Sequence, residues 1–168
     1  MHASGEPFCL LYKDTLYGAY SMAAIGALTG DPHDRDSPLF IQHLRDPEYC
    51  SLVDTAAENL APGTSVIVVA PLSREVCEGR LFDRTWLGIG DDVAIRVVWT
   101  RVREDMARQR IVARGDPNDA YKLVHWEDYR QRLFVPDESV AKTLVMFDAT
   151  VPSPSDYDAL LARLIVAT

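Results

Sequence analysis

Apolar positions along this chain come in short dense blocks separated by polar turns. Pro7 to Tyr12 (PFCLLY) is one such block, of the length and density of a buried strand. From Thr15 to Leu28 (TLYGAYSMAAIGAL) the chain is apolar nearly all round, which predicts a buried helix stopped by Gly30 and Pro32. Asp31 to Pro38 (DPHDRDSP) reads as a polar loop. Pro47 to Ala61 repeats apolar residues at three- and four-residue spacing, with Gly63 just beyond, and predicts an amphipathic helix. Thr64 to Ala70 (TSVIVVA) is β-branched and unbroken, bounded by Pro62-Gly63 and Pro71. Its lack of alternation predicts a strand buried on both faces, as in a parallel sheet between helical layers. Val93 to Thr100 and Thr143 to Phe147 predict further strands. Helices are expected over Glu104 to Val112, Asn118 to Leu133 and Ser155 to Ile165, the last with Ser153 or Ser155 as N-cap.

Strands separated by helices imply right-handed crossovers and a mainly parallel sheet. The expected fold is therefore a single α/β domain over residues 1–168, three-layered, with a mainly parallel sheet and flanking helices. Val66-Ala70, Val93-Val98 and Leu144-Phe147 are expected to be adjacent or near-adjacent core strands.

Composition narrows the class. A chain of 168 residues, 48% apolar with three Trp, can bury one substantial core and is not a disordered polymer. No apolar run approaches the ~20 residues of a membrane span, and the first residues lack a secretory pattern. Cys9, Cys50 and Cys77 make neither a disulfide framework nor a zinc knuckle. A cytoplasmic protein is expected. The net charge of −8 and pI near 4.9 argue against nucleic acid or a membrane surface as partners. Of the 17 basic residues only Lys13, Lys122 and Lys142 are lysines. That bias suits a GC-rich genome, and it also suits planar, bidentate recognition of phosphate or carboxylate.

Open α/β sheets bind ligands outside the carboxyl ends of their strands. That rule selects the loops at Lys13-Asp14, Pro71 to Glu75, Arg101 to Glu104 and Asp148 to Pro154. The segment Arg101 to Lys122 gathers Arg108, Arg110 and Arg114 ahead of a helix-breaking Gly115-Asp116-Pro117, with Asp119 and Lys122 beyond. One reading is an exposed helix–turn–helix with solvated charges. The other is a lid at about 101–122 whose arginines close over an anionic ligand.

Val97 to Tyr129 carries V-x-W-x-x-V followed by R-x-R-x-x-A-R-G-D-P-x-D-x-x-K-L-x-x-W-x-x-Y. This resembles the lid region of bacterial P-loop kinase-like proteins, small ATP-binding proteins akin to gluconate, shikimate and chloramphenicol kinases. Lys13 to Leu16 resembles the segment closing their second strand, Gly63 to Glu75 their third strand and substrate-side loop, and Thr143 to Pro154 their last strand and adenine-side loop. The resemblance covers roughly residues 8 to 165, most specifically in the lid. One departure is large. Such kinases open with a strand, a G-x-x-x-x-G-K-[ST] loop and a helix, which hold phosphate and Mg²⁺. That motif is absent here, and none of the three lysines follows a glycine. The chain thus starts at the family's second strand. The strand–loop–helix unit either precedes the present start or has been deleted, and deletion would leave flanking strands to pair directly or a partner to fill the gap.

The resemblance implies Asp14 as general base, with Arg110 and Arg114 as catalytic lid residues; from the residues alone, Asp14 serves equally as a helix N-cap. Lys13, Arg74, Glu75, Arg108, Asp119 and Lys122 are candidate substrate-binding residues, though Lys13 could be solvated and Arg74-Glu75 a surface ion pair. Asp31, His33, Asp34 and Asp36 are consecutive loop polar groups, so no metal site is expected. His125-Trp126 with Tyr129 predicts packing. The expected function is a kinase-derived small-molecule enzyme that binds a polar or anionic metabolite under an arginine lid and no longer depends on ATP. The alternatives are an ATP-dependent kinase whose phosphate loop lies upstream or on a partner, and a non-catalytic binding or assembly subunit. No cofactor is expected for this chain itself, with ATP and Mg entering only if a phosphate loop is supplied. The expected partner is a small-molecule substrate, with a homodimer through an exposed sheet edge as a further possibility.

Overall fold

A computed structural model describes residues 7–35, 37–131, 133 and 135–165. Strand β1 (Phe8–Tyr12) runs directly into helix α1 (Lys13–Thr29), which ends where Gly30 adopts φ 84°. A short α2 (Pro38–Phe40), capped by the Ser37 hydroxyl, leads through a π-helical turn (Ile41–Arg45) into α3 (Asp46–Leu60). Strand β2 (Ser65–Val69) follows, then two short helices, α4 (Ser73–Cys77) and α5 (Arg84–Leu87). Strand β3 (Val98–Arg101) leads into α6 (Glu104–Arg114), α7 (Ala120–Val124), α8 (Trp126–Arg130) and α9 (Glu138–Ala141). Strand β4 (Val145–Asp148) and α10 (Pro154–Ile165) close the chain. Ser153 and Asp156 exchange backbone and side-chain hydrogen bonds at the start of α10, with Ser153 as the cap.

All pairing is parallel, so the α/β class holds. Among the described residues the strands nevertheless form two sheets of two. Phe8 to Tyr12 pair with Ser65 to Val69, and Val98 to Arg101 pair with Val145 to Asp148. Of the three segments expected to be adjacent or near-adjacent core strands, β3 and β4 are hydrogen-bonded neighbours, whereas β2 pairs with β1 and not with β3. Helices α1 and α3 pack on each other and on one face of β1–β2, burying Leu11, Ile25, Tyr49, Leu52 and Val53. A second core, Val76, Leu81 and Leu144, is flanked by Trp86, Val97, Trp99, Val140 and Met146, against β3–β4.

Three further expectations change. Strand β2 is covered on one face only: Val66 and Val68 are half-buried, whereas Ser65, Ile67 and Val69 are exposed. An unbroken apolar run reports that both faces are apolar, not that both are covered. The third strand begins at Val98 rather than Val93, because its partner reaches no further than the Val145 amide, which donates to the Val97 carbonyl at 2.8 Å. The single helix expected from Asn118 to Leu133 is broken at His125. Its ring stacks on Tyr121 at 4.2 Å, and its carbonyl accepts from the amides of Asp128 and Tyr129 to start α8. Among the described residues no helix is long and apolar enough to cross a membrane. The three cysteines are free thiols.

Candidate functional site

Charged side chains from separate segments converge where the chain leaves its strands. Asp14 is not a cap; the cap position is Tyr12, which makes no side-chain cap bond, and Asp14 sits in the first turn of α1. There the amide dipoles favour a carboxylate. Lys13, next to it, is buried. Its Nζ donates to Glu48 Oε2 at 3.0 Å and lies 2.8 Å from Asp14 Oδ1. Glu48, also buried on α3, accepts in addition from Arg35 (3.2 Å) and from the Ser21 hydroxyl. Arg35 reaches Asp14 at 3.6 Å. Burial opposes the charge of Asp14, but the hydrogen bond from Lys13 and the charges of Lys13, Arg35 and Lys122 prevail and hold its carboxyl below the usual range. Asp14 is thus an ionised, weakly basic carboxylate, half-exposed to the cavity.

A second cluster stands at the end of β2. Glu75 is 1% exposed, and Arg45 donates to its two oxygens at 2.8 and 3.1 Å. The π-helical turn brings Arg45 to this position and stacks it on Tyr49, 4.1 Å from the ring centroid. Tyr49 donates to the Pro71 carbonyl, and burial pushes its phenol well up. Arg74 pairs with Asp46 and lies 3.5 Å from Glu75. Glu75, offered above as a substrate ligand, is saturated by the two arginines.

The lid arginines separate. Arg114 donates from Nε (2.9 Å) and Nη2 (2.6 Å) to Asp119, which also accepts from Lys122 at 2.8 Å. Those three side chains border the cavity. Arg110 instead donates to the Thr150 carbonyl at 2.7 Å, and Arg108 lies over the Trp126 ring at 5.4 Å; neither borders the cavity. Two residues along a helix is about 200° of rotation, so Arg108 and Arg110 point to opposite sides of α6. Trp126 is buried and donates to Glu104, as the packing expectation holds. Asp36 lies outside the described residues. His33 bonds Asn118 at 2.9 Å, tying the loop after α1 to the lid, and no metal-holding group of three occurs among the described residues.

Sequence reasoning missed Arg35, Arg45 and Glu48. Arg35 was hidden in a loop weighed for its acids, and the partners of Arg45 and Glu48 are distant in sequence. All three line the same cavity of about 2200 Å³ as Lys13, Asp14, Arg74, Arg114 and Lys122. Basic residues outnumber acidic ones along that lining, the reverse of the whole chain. The Nε atoms of Arg35 and Arg74 are buried without a hydrogen-bond partner among the described residues.

Asp46 and Asp119 share the behaviour of Asp14: burial opposes their charge, and hydrogen bonds from Arg74 and from Lys122 with Arg114 outweigh it. A carboxyl whose pKa is lowered on folding contributes stability above its unfolded value, ~3.9, and loses it as pH falls through the folded value. Urea midpoints should therefore be insensitive to these groups above pH 5 and fall steeply below about pH 4. Replacing all three by Asn should flatten that acid limb. The chain matches no protein-family model, no curated protein and no solved structure.

Proposed function

We propose that the chain is a small-molecule enzyme domain of P-loop kinase-like ancestry that binds a polar, anionic metabolite at the charged end of the cavity. The observation that carries this is the convergence of Lys13, Arg35, Arg74, Arg114 and Lys122 on one cavity of a chain with net charge −8. An anion there meets a local field opposite to that of the protein as a whole. Arg74 and Arg114 keep 36% and 58% of their side chains exposed, so their remaining N–H groups are available to phosphate or carboxylate oxygens. Asp14 accepts a hydrogen bond from a ligand hydroxyl and orients it. A carboxylate held this far below neutral pH is a weak base, which suits orientation more than early proton removal. Arg110 anchors the lid to the loop after β4, and Arg45 with Glu75 fixes α4, which carries Arg74.

A second reading, ATP-dependent phosphoryl transfer with the phosphate-binding element supplied from outside these residues, is favoured by the edges of β2 and β3 that pair with no further strand among the described residues. Mg-ATP itself does not fit the residues present. Among the described residues the left-handed glycines, Gly30, Gly63, Gly79, Gly88 and Gly115, lie singly and form no amide cradle, and Lys13 and Arg45 are already held by Glu48 and Glu75. Weak Mg-ATP binding is therefore the expectation for these 168 residues.

Calorimetric titration with inorganic pyrophosphate tests the proposal. Arg114→Ala with Lys122→Ala should weaken binding at least tenfold, while Lys142→Ala, an exposed residue paired with Glu138, leaves it unchanged. Equal affinity in the double variant and the parent overturns the site.

A further inference from the structure

The charged rim is only one end of the cavity. Lys13 and Arg74 follow the carboxyl ends of β1 and β2, and Glu48, which Lys13 and Arg35 hold, lies in the first turn of α3. From there the cavity follows α3 to its last residue. Glu48 to Leu60 is about 18 Å of helix at 1.5 Å per residue, and both line it. The chain then turns back at the amino end of β2, which packs against α3. Among the described residues that line the cavity between 53 and 70, none is charged, and Ser65 alone is polar.

A second apolar wall comes from residues 87–98, whose lining side chains are aliphatic apart from Arg96. A methyl group added at Gly88 would meet that of Ala57 at 3.7 Å, so this wall closes on the far half of α3. Arg84 fixes its course by donating to the Gly90 carbonyl and, at 2.9 Å, to the Val93 carbonyl. The β-branched run at 93–97, which joins no ladder, thus serves as a wall of the cavity.

A small polar anion would fill the rim and leave this apolar stretch to water. At about 2200 Å³ the cavity exceeds the ~300–1,000 Å³ typical of small-ligand sites. Open apolar surface on this scale marks a binding site, and the basic rim sets the charge of the occupant's head. A bilayer is the wrong cover, because a flat surface does not enter a groove and anionic lipid repels a chain of net charge −8.

We propose that the cavity takes a single-chain amphiphile, a phosphate or diphosphate ester of a long-chain alcohol. Arg74, Arg114 and Lys122 hold its head at the rim, and its chain lies along α3 between β2 and the 93–97 segment. The proposal rests on the anion-binding reading and adds the apolar half of the ligand.

Calorimetric titration with dodecyl phosphate and ethyl phosphate, each below its micelle threshold, tests it, with inorganic pyrophosphate as the head alone. Each methylene taken out of water is worth about fourfold in affinity, so dodecyl phosphate should bind at least about 50-fold more tightly than ethyl phosphate. Dodecyltrimethylammonium, with the same chain and the opposite charge, should not bind. Ile95→Asn should weaken dodecyl phosphate binding about tenfold and leave pyrophosphate binding unchanged, whereas Arg114→Ala with Lys122→Ala weakens both. Should Ile95→Asn fail to fold, the chain-length comparison on the parent protein decides alone. Equal affinity for the two esters, with pyrophosphate bound, overturns the amphiphile and leaves the anion site standing. Absence of pyrophosphate binding overturns the anion site and the amphiphile with it. Equal binding of the cationic amphiphile, uptake only as micelles, or full dodecyl phosphate affinity in a folded Ile95→Asn protein also overturns the proposal. So does a dimer that shuts out dodecyl phosphate, since a second copy would then cover the apolar walls.

Discussion

Arg45→Ala should destabilise the protein by about 3–5 kcal/mol, the cost of leaving a buried carboxylate without its cation. Glu75 is 1% exposed and takes a bidentate pair from Arg45. Once Arg45 is gone, Arg74 is the nearest cation, and it is already engaged by Asp46. The pair as a unit is a different matter, because two charges removed from water regain little net energy by meeting. Arg45→Met combined with Glu75→Leu should therefore recover most of the loss, and urea unfolding of the two variants separates the cases. A double variant as unstable as Arg45→Ala would mean that the arginine works by packing on Tyr49 and not by neutralising Glu75.

Glu48→Ala should move stability and anion binding in opposite directions. Glu48 accepts from Lys13, Ser21 and Arg35, and both Glu48 and Lys13 are buried. Its removal leaves two cations facing Asp14 alone, with an expected loss of about 3–5 kcal/mol in unfolding free energy. The same cations become available to an added anion, so pyrophosphate affinity should rise about tenfold, or 1.4 kcal/mol. Chemical denaturation and titration of one preparation check both signs. Weaker pyrophosphate binding in a folded Glu48→Ala protein would show that Lys13 and Arg35 do not face the ligand.

Local pattern made α1, α3, α6, α10, β1 and β2 legible, because each is long or dense enough for period and punctuation to agree. The boundaries that moved did so for tertiary reasons. Residues 93–97 are as β-branched as a strand but find no ladder partner, and the helix expected through residue 125 breaks where the His125 backbone leaves the helical region at φ −107°, ψ 47°. The candidate site was legible in part. Asp14, Lys13 and Arg74 were found because strand ends are the rule-given place to look, and Arg114 and Lys122 because the lid is basic. Arg108 was grouped with them by proximity in sequence, although helical rotation already separates it from Arg110 and Arg114. Arg45 and Glu48 could not be found in this way. Each owes its place to partners about thirty residues away, Glu75 for one and Lys13 for the other, and no local period records that.

The open edge of β2 also bears on how these residues behave in solution. From Pro62 to Pro71 the chain carries no charged side chain, and its β-branched run lies at an edge with half of its side chains exposed. Edge strands of that composition are templates for pairing between molecules, and soluble proteins blunt them with lysine, proline or a bulge. Here proline stands only outside the strand. Colloidal repulsion from the net charge of −8 is the remaining safeguard, and it vanishes near pH 4.9. Handling these residues just above that pH brings intermolecular β-pairing and precipitation ahead of acid unfolding, so mildly alkaline, low-salt conditions are the ones in which the isolated chain stays dispersed.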